Sequence, residues 1–380
     1  NQMKIGILTQ PLRSNYGGLL QTYALQEILK RMGCEPWIIQ REKMGGEVTV
    51  LMQKAKEIIW HLIGREYVAY NANLLAYLQQ YTDKFVERHI YPKTSKINST
   101  HKLKTVVSEL GIKGYIVGSD QVWRPSYSPC ITNYFLDFVN SQEDIKRIAY
   151  AASFGTDVWE FSKSKGLKCA KLAKMFDAIS VREYSGIEMC NRYLGVHAVQ
   201  VLDPAMLLES TDYVKIVREA GESQSRGNLF YYFLDKTQEK ENVVSHFASM
   251  LSLIPFSTMP TKISTYENLR KCPEECVYPP VTKWLRSFMD AEMVITDSFH
   301  GCVFSIIFNK PFWVIGNHQR GMVRFYSLLE LFGLEDRLID IEQIHDIESS
   351  TMIDWSCVNA RRSDLKIKSL EFIRKAIRIN

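Results

Sequence analysis

The residues best suited to chemistry lie in a short polar sequence, TDSFHG, at residues 296–301. Within it, the imidazole of His300 can give or take a proton near neutral pH. Asp297 and Ser298 could contact a polar ligand, or they could simply cap a helix that follows them. An isolated histidine is more often structural than catalytic, so the role of His300 depends on the elements that position it.

The polar sequence stands between a predicted strand and a predicted helix. Residues 293–296 are apolar and β-rich, and residues from about 302 to 308 form an apolar helix. Open α/β sheets bind ligands at the carboxyl ends of parallel strands. A helix that begins there presents backbone N–H groups and a positive dipole end to a phosphate or carboxylate. We therefore predict an anion site at Ser298 and Gly301, and the anion would favour the protonated form of His300.

Short apolar strands alternate with helix-length segments along the chain, which predicts parallel sheets joined by crossover helices. The predicted strands are residues 4–9, 36–40, 115–118, 148–153, 178–181, 199–202, 228–234, 254–258, 292–296, 311–315 and 338–341. Residues 209–228 are polar and charged and predict a domain boundary. We predict an α/β protein with two doubly wound, Rossmann-like domains facing a cleft. They span residues 1–205 and 206–380, and the second includes a C-terminal helix.

Composition argues against several classes of protein. The 380 residues include 47 Lys and Arg and 42 Asp and Glu, and the net charge of +5 gives no reason to expect nucleic-acid binding. The eight cysteines are scattered, as in reduced intracellular enzymes. The sequence has no glycine-rich phosphate loop, and its histidines and cysteines lack the spacing of metal ligands. We therefore predict neither a metal nor a bound cofactor.

Localisation is predicted from the apolar segments. None reaches the roughly 18 to 20 residues that a membrane-spanning helix needs. No secretory signal is visible, so we expect a cytoplasmic protein. Residues 50–88 form one or two predicted amphipathic helices, in which Trp60, Leu62 and Ile63 could contact the inner face of a membrane. Packing of that face on its own domain is the alternative.

Seven motifs resemble, in the same order, those of polysaccharide pyruvyl transferases. They are NYGGLLQTYAL (15–25), GSDQVW (118–123), YAASFG (150–155), SVRE (180–183), LDP (202–204), TDSFHG (296–301) and RGMVRFYSLLELFGLEDRL (320–338). The resemblance extends over essentially the whole chain, and the ordered set is much more specific than any one motif. The chain is most similar to the subgroup found beside bacterial capsule and exopolysaccharide genes.

The resemblance implies a fold like that of two-domain GT-B glycosyltransferases and a reaction of phosphoenolpyruvate. In that reaction the enolpyruvyl group becomes a pyruvate ketal on two hydroxyls of a sugar acceptor, and inorganic phosphate leaves. The phosphate and carboxylate of this donor require cations and backbone donors. Its methylene carbon must be protonated, which requires a general acid. The acceptor could be lipid-linked, nucleotide-linked or a finished polymer.

The resemblance also assigns roles to residues. His300 corresponds to the catalytic histidine of the family and would be the general acid. Arg182 matches an arginine expected to bind the anionic end of the donor, although a salt bridge with the neighbouring Glu183 or with another acid is equally compatible. Many family members have an arginine where this chain has Ser298. Either Arg320 or Arg324 would then supply that charge, or the donor differs; both arginines could also be simple surface residues.

Two further sets of residues are expected to contact the acceptor sugar or to shape the cleft. The first lies in a loop before a helix, where glycine allows close backbone approach: Asn15, Tyr16, Gly17 and Gly18. The second follows a predicted strand: Ser119, Asp120 and Gln121. Asp120 could deprotonate an attacking hydroxyl or cap the next helix. Trp123 could stack on a sugar or pack in the core.

Two other functions remain open on sequence grounds. A nucleotide-sugar-dependent glycosyltransferase of polysaccharide biosynthesis would share the architecture and the anion-binding helix start. It would release a nucleoside diphosphate, whereas pyruvyl transfer releases free phosphate. A binding protein without catalytic activity would keep the cleft, and changes at His300 would then alter affinity alone.

Overall fold

The structure is a computed structural model. It describes residues 2–43, 58–59, 62, 72–140, 144–316, 321–341 and 352–378. Arg320, one of the two arginines expected to complete the anion site, lies outside the described residues. The positions given below refer to the described part of the chain.

Strands and helices alternate through the chain as the sequence predicts. The strands are β1 (Lys4–Leu8), β2 (Glu35–Ile38), β3 (Gly114–Val117), β4 (Lys146–Ala152), β5 (Ala178–Val181), β6 (Val199–Gln200), β7 (Leu229–Tyr232), β8 (Pro255–Phe256), β9 (Met293–Thr296), β10 (Phe312–Ile315) and β11 (Leu338–Ile339). The α-helices are α1 (Tyr16–Arg31), α2 (Ala72–Leu78), α3 (Gln80–His89), α4 (Thr100–Leu110), α5 (Lys163–Ala173), α6 (Tyr184–Met189), α7 (Ser210–Ala220), α8 (Gln238–Leu251), α9 (Tyr266–Lys271), α10 (Val281–Asp290), α11 (Phe299–Ile307), α12 (Val323–Phe332) and α13 (Trp355–Ile377).

The strands form two sheets in which the described pairs are parallel. The first has the order β2-β1-β3-β4-β5-β6, and the second has the order β11-β10-β9-β7-β8. In the first sheet, Ile7 of β1 lies beside Ile38 on one side and Ile116 on the other, and all three side chains are buried. Such continuously apolar strands are typical of parallel sheets covered on both faces. The predicted α/β class with two parallel sheets is confirmed.

Helix α11 begins about three residues earlier than the sequence analysis predicted. The Ser298 hydroxyl accepts a hydrogen bond from the Gly301 N–H at 3.3 Å and caps the helix. A Cβ atom on Gly301 would lie 2.2 Å from Thr296 Oγ1, so only glycine permits this close passage of the helix over β9. As a result, His300 lies in the first helical turn and not in the loop before the helix.

Aromatic packing joins the two halves of the chain. The ring of Tyr16 in α1 stacks on Trp284 in α10, with 5.5 Å between centroids, and both side chains are fully buried. The Tyr16 hydroxyl donates to the Pro279 carbonyl at 2.8 Å. Phe288 and Phe304 pack against the other edges of Trp284. This cluster fixes the start of α1 relative to the second half, close to the carboxyl ends of the strands.

Helix α13 returns from the second half of the chain to the first sheet. Ser369 accepts a hydrogen bond from the Leu202 N–H at 3.0 Å, and Phe372 lies 6.2 Å from Tyr150 of β4. Arg362 donates to the carbonyl of Met206 at 3.2 Å. The helix therefore contacts the first sheet as well as the second half of the chain, to which the predicted division at residue 205 assigns it, and that division stays a prediction.

The segment predicted to contact a membrane is only partly described. Ile58, Ile59 and Leu62 are exposed, whereas Trp60 and Ile63 lie outside the described residues. Within the described part of the chain, no helix has both the length and the apolar character needed to cross a bilayer. Membrane contact therefore stays a prediction.

Replacement of Trp284 tests the aromatic contact between the halves. We expect Trp284→Ala to lower the free energy of unfolding by about 3 to 5 kcal/mol, because it leaves a large cavity among rings that cannot close around it. Denaturant unfolding followed by circular dichroism measures this. Leu167→Ala, an apolar truncation on the exposed face of α5, is the control and should change stability by no more than about 0.5 kcal/mol. Equal effects of the two substitutions would contradict the assignment of Trp284 to the joint core.

Candidate active site

A cleft of about 420 Å³ lies where the carboxyl ends of the two sheets face each other. The loops that follow β1, β3, β7 and β9 all contribute to it, as the rule for open parallel sheets predicts. The lining residues are Gln10, Pro11, Arg13, Ser14, Asn15, Lys43, Asp120, Gln121, Ser126, Tyr127, Leu234, Asp297, Ser298, Phe299, His300 and Arg324. The cleft thus brings together residues from both halves of the chain.

His300 lies on the wall of the cleft in the first turn of α11, and only 6% of it is exposed. Its ring rests directly on the backbone of Gly17 at the start of α1. A Cβ atom at Gly17 would lie 2.1 Å from both Cγ and Nδ1 of His300. Any larger residue at position 17 would displace the imidazole, so Gly17 positions His300 by its lack of a side chain.

Asp203 lies behind His300 and is fully buried. The Nε2 atom of His300 lies 3.4 Å from Asp203 Oδ2, within the reach of an ion pair. Asp203 Oδ1 accepts a hydrogen bond from the Ala205 N–H at 3.0 Å. Burial alone would raise the pKa of Asp203, but His300 and Arg182 outweigh it and lower that pKa to about 2. Asp203 is therefore ionised at neutral pH and interacts favourably with a protonated imidazole.

Arg182 lies at the carboxyl end of β5 and binds two carboxylates. Its Nη1 is 2.9 Å from Asp203 Oδ2, and its Nη2 is 3.3 Å from Asp120 Oδ1. Its guanidinium carbon lies 4.2 Å from the ring centroid of Phe299. The residue is buried behind the cleft wall, so the salt bridge considered in the sequence analysis is present. In the structure Arg182 fixes the two acids beside His300.

Arg324 reaches the cleft from α12, and its guanidinium carbon lies 5.9 Å from the ring centroid of Phe299. Burial and the nearby charge of Arg182 lower the pKa of Arg324 to about 10, while Asp120 and Tyr127 raise it. The side chain still carries its positive charge at neutral pH. Of the two arginines expected to complete the anion site, the structure describes Arg324, and this residue lies at that site.

One turn further along α12, Ser327 attaches the helix to the first half of the chain. Its hydroxyl accepts hydrogen bonds from the Tyr184 N–H at 2.9 Å and from Gln200 Nε2 at 2.8 Å. Tyr184 follows β5, and Gln200 lies in β6. The position of Arg324 is therefore set by both halves of the chain.

Asp297 and Ser298 organise the turn before α11. Asp297 accepts hydrogen bonds from the N–H groups of Leu234 at 2.7 Å and Asp235 at 3.2 Å, and it lies 2.6 Å from Lys240 Nζ. These contacts fasten the loop after β7 to the end of β9. Ser298 caps α11 and also lines the cleft, so its structural role leaves its surface available to a ligand.

The residues predicted in the first motif separate into two environments. Asn15 lines the cleft and caps α1, because its Oδ1 accepts a hydrogen bond from the Gly18 N–H at 3.1 Å. Gly17 supports the ring of His300. Tyr16, by contrast, is fully buried in the core between the halves and does not line the cleft.

The residues predicted after β3 also lie in two environments, some on the cleft wall and some in the core. Asp120 and Gln121 line the cleft, and Asp120 has a φ of 70°, in the left-handed region that few residues other than glycine adopt. The Ser119 side chain is buried and donates to the Ala151 carbonyl at 3.0 Å. Trp123 is fully buried and stacks on Phe135 with 4.9 Å between centroids, which is the core alternative of the sequence analysis.

Sequence reasoning missed several residues that the structure brings to the site, among them Asp203 and Tyr127. Asp203 stands in the LDP motif, just after β6, where a strand ends at the cleft edge. Its position in that motif was the available signal. Tyr127 lies in an irregular loop beyond Asp120, and nothing in the sequence pattern distinguishes it from a surface tyrosine.

The cleft carries a mixture of charges with an excess of basic groups. Arg13, Lys43 and Arg324 line it together with His300, and Asp120 and Asp297 are the acids among the lining residues. Among the residues that the structure describes, no three His, Cys, Asp or Glu side chains are grouped so as to hold a metal ion. The arrangement can bind an anion and move a proton.

Comparison with solved structures identifies proteins of similar fold. UGT89C1 of Arabidopsis thaliana, in complex with quercetin, has a TM-score of 0.50 and 9% sequence identity over 99% of this chain and 100% of that chain. A UDP-GlcNAc 2-epimerase from Methanocaldococcus jannaschii has a TM-score of 0.49 and 11% identity over 97% of this chain and 99% of that chain. At such identities the similarity concerns the fold alone. The similarity to UGT89C1, at a TM-score of 0.50, confirms the predicted GT-B-like architecture.

Comparison of the sequence with known proteins identifies the family. No curated protein matches the chain. The profile of the family described as "Polysaccharide pyruvyl transferase" matches residues 15–319, which is most of the chain and includes the Gly17, Asp120, Arg182, Asp203 and His300 positions. The protein is therefore an enzyme of the polysaccharide pyruvyl transferase family.

Proposed function

We propose that the protein transfers the enolpyruvyl group of phosphoenolpyruvate to a sugar diol of a capsule or exopolysaccharide precursor. The product is a pyruvate ketal, and inorganic phosphate is released. The observation that carries this proposal is the position of His300 between the ionised carboxylate of Asp203 and a cleft that also contains Arg324. A proton donor and a cation in one cleft are what the donor requires.

Arg324 and the start of α11 bind the anionic groups of phosphoenolpyruvate in this proposal. A guanidinium can form two hydrogen bonds to a phosphate or carboxylate. The helix start adds its positive dipole end beside Ser298. Arg324 thereby supplies the charge that an arginine supplies at the position of Ser298 in other members. Arg182 lies behind the cleft wall, where it forms ion pairs with Asp203 and Asp120.

His300 is the general acid of the proposed reaction. It gives its proton to the methylene carbon of the donor, and positive charge then develops on the neighbouring carbon, which the acceptor hydroxyls attack. Asp203 stabilises the charged imidazole before the transfer and fixes the ring against Gly17. Two C–O bonds form to the sugar, and the C–O bond to phosphate breaks. Of the two hydroxyl protons, one restores His300, and the other is taken up first by Asp120 and then leaves with the phosphate.

Asp120 is the proposed base for an acceptor hydroxyl. It lines the cleft, and its Oδ1 lies 3.3 Å from Nη2 of Arg182. The arginine orients this carboxylate, and a carboxylate in this position can accept the hydroxyl proton. Asn15 and Gln121 line the same wall and are proposed to contact the acceptor. A cytoplasmic location, a lipid-linked acceptor and contact with a membrane stay predictions.

Incubation of the pure protein with phosphoenolpyruvate and a panel of galactose-, glucose- and mannosamine-containing acceptors tests the function. We expect phosphate release together with a product whose mass shows a pyruvate ketal. His300→Ala should lower kcat by about a hundred- to ten-thousandfold, the usual contribution of a general acid. His197→Ala, at an exposed position, is the control and should retain full activity. Transfer from a nucleotide sugar without any pyruvylated product would instead support a glycosyltransferase.

Asp203→Asn tests whether Asp203 holds the imidazole of His300 in position. The low pKa of Asp203 means that its charge is present at all pH values above about 2. Because Asp203 holds the imidazole of His300 in place, its loss should lower kcat more than it changes the KM for either substrate. It should also reduce activity at pH 7.5 by about tenfold or more, the loss of one charged contact. An unchanged kcat would exclude this role.

The matched control for Asp203→Asn is Asp212→Asn, which removes another ion-paired carboxylate at the start of α7. We expect its kcat and both KM values to match those of the wild type. The free energy of unfolding, measured as a function of pH, gives a second test of Asp203. Because its pKa is lowered on folding, its stabilisation is present above about pH 4 and is lost as the pH falls from about 4 to 2.

Arg324→Gln tests the anion site. We expect the KM for phosphoenolpyruvate to rise by about tenfold to a hundredfold, because a charged hydrogen bond to a ligand contributes about 1.5 to 3 kcal/mol. The KM for the acceptor should change little. Steady-state kinetics with each substrate varied in turn measures both. Arg270→Gln, an exposed residue of α9, is the control. A selective effect on the acceptor would place the donor elsewhere in the cleft.

A further inference from the structure

The loop after Asp120 is held in a fixed conformation on the first-half wall of the cleft. The N–H groups of Tyr127 and Ser128 both donate to the Arg124 carbonyl at 3.1 Å. Ser128 Oγ donates to the Val122 carbonyl at 2.6 Å. Gln10 Nε2, from the loop after β1, lies 3.1 Å from Ser128 Oγ and donates to it. The backbone that carries Tyr127 is therefore fixed at several points.

Arg124 covers one face of the Tyr127 ring. Its guanidinium carbon lies 4.5 Å from the ring centroid. Two of its nitrogens bind Glu160 in a fork, at 3.1 Å and 2.9 Å, and Nη1 donates to Gln121 Oε1 at 3.2 Å. Such a bidentate pair fixes the plane of the guanidinium, and the charge is attracted to the ring face. The Tyr127 side chain is thus held from behind.

The Tyr127 ring also lines the cleft, and 37% of the residue is exposed. It shares this wall with Gln121, whose amide is held between Arg124 and Gly155; a Cβ atom on Gly155 would lie 2.0 Å from Gln121 Oε1. Tyr127 and Arg324 line the same cleft, which places the phenol in the same cavity as the proposed donor site. A ring with one face covered and the other side open to the cleft is available for ligand contact.

We infer that Tyr127 is the stacking platform for a neutral pyranose ring of the acceptor. A pyranose has faces of C–H groups that pack on an aromatic ring, and hydroxyls at its edge that suit an amide such as that of Gln121. Phosphoenolpyruvate is small and highly charged, and it gains little from an aromatic face. Arg124 and Glu160 are positioning residues, because they fix the ring without contacting the sugar. The identity of the sugar as the acceptor rests on the proposed function.

Sugar binding measured without donor tests the platform directly. Methyl galactoside, methyl glucoside and N-acetylmannosamine are used as probes, with binding followed by saturation-transfer NMR titration. For the sugar that binds best, Tyr127→Ala should weaken binding by about tenfold, the worth of one aromatic contact. Tyr127→Phe should bind within about twofold of the wild type, because stacking needs the ring and not the hydroxyl.

Tyr81→Ala is the matched control. Tyr81 is 39% exposed and also lies beside a cation, since Lys84 Nζ is 5.2 Å from its ring centroid, but it does not line the cleft. We expect its sugar affinity to equal that of the wild type. Sugar binding by Tyr127→Ala that equals the wild type would overturn the inference. So would an equal loss in Tyr81→Ala, because the loss would then be unspecific.

Arg124→Gln separates positioning from folding. It removes the fork to Glu160 and the cation behind the ring, so the KM for the acceptor should rise several-fold while kcat and the KM for phosphoenolpyruvate stay unchanged. Arg124→Lys should recover only part of the loss, because a lysine cannot form the fork. A rise in the KM for phosphoenolpyruvate alone would overturn the assignment of this wall to the acceptor.

The outcomes for the platform and for the proposed function are distinguishable. Sugar binding that depends on Tyr127 without any pyruvyl transfer would support the platform and contradict the proposed function. Pyruvyl transfer with acceptor affinity independent of Tyr127 would support the function and overturn the platform. Both measurements use the intact chain, and neither requires knowledge of the complete natural acceptor.

Discussion

The buried ion-pair chain from Asp120 through Arg182 to Asp203 and His300 is the constraint on which the rest of the site depends. Charges out of contact with water are tolerated when they are paired and hydrogen-bonded, and removing one partner leaves another uncompensated. Three of these residues belong to the first half of the chain, and His300 belongs to the second. The chain of charges therefore holds the imidazole in one position and also couples the two halves at the floor of the cleft.

Steric fit further restricts the position of the His300 ring. His300 can approach Asp203 only because Gly17 leaves room for the ring, and α11 can pass over β9 only because Gly301 has no side chain. The contact of Tyr16 with Trp284 holds the start of α1 in the place where Gly17 meets the ring. The starts of α1 and α11 are thus packed against each other. The apolar contact between Tyr16 and Trp284 helps to fix the polar contact between His300 and Asp203.

The parts of this arrangement that depend on local sequence could be predicted, and those that depend on long-range pairing could not. Strand alternation gave the two parallel sheets, and the position of TDSFHG after a strand placed His300 at the cleft. The start of α11 was misjudged because the cap at Ser298 draws three polar-loop residues into the helix. Asp203 was overlooked because its partner lies 97 positions away along the chain, and no periodic pattern reports such a pair.

Long-range contacts also explain why the two motif arginines, Arg182 and Arg324, lie in different environments. Arg182 and Arg324 have similar prominence in their motifs, yet the first is neutralised by two carboxylates, whereas burial and the charge of Arg182 lower the pKa of the second. An anion in the cleft would reverse that effect on Arg324, because it would stabilise the protonated guanidinium. In the proposed function this charge binds the small anionic donor, and the wall of the cleft that carries Tyr127 is proposed to contact the sugar.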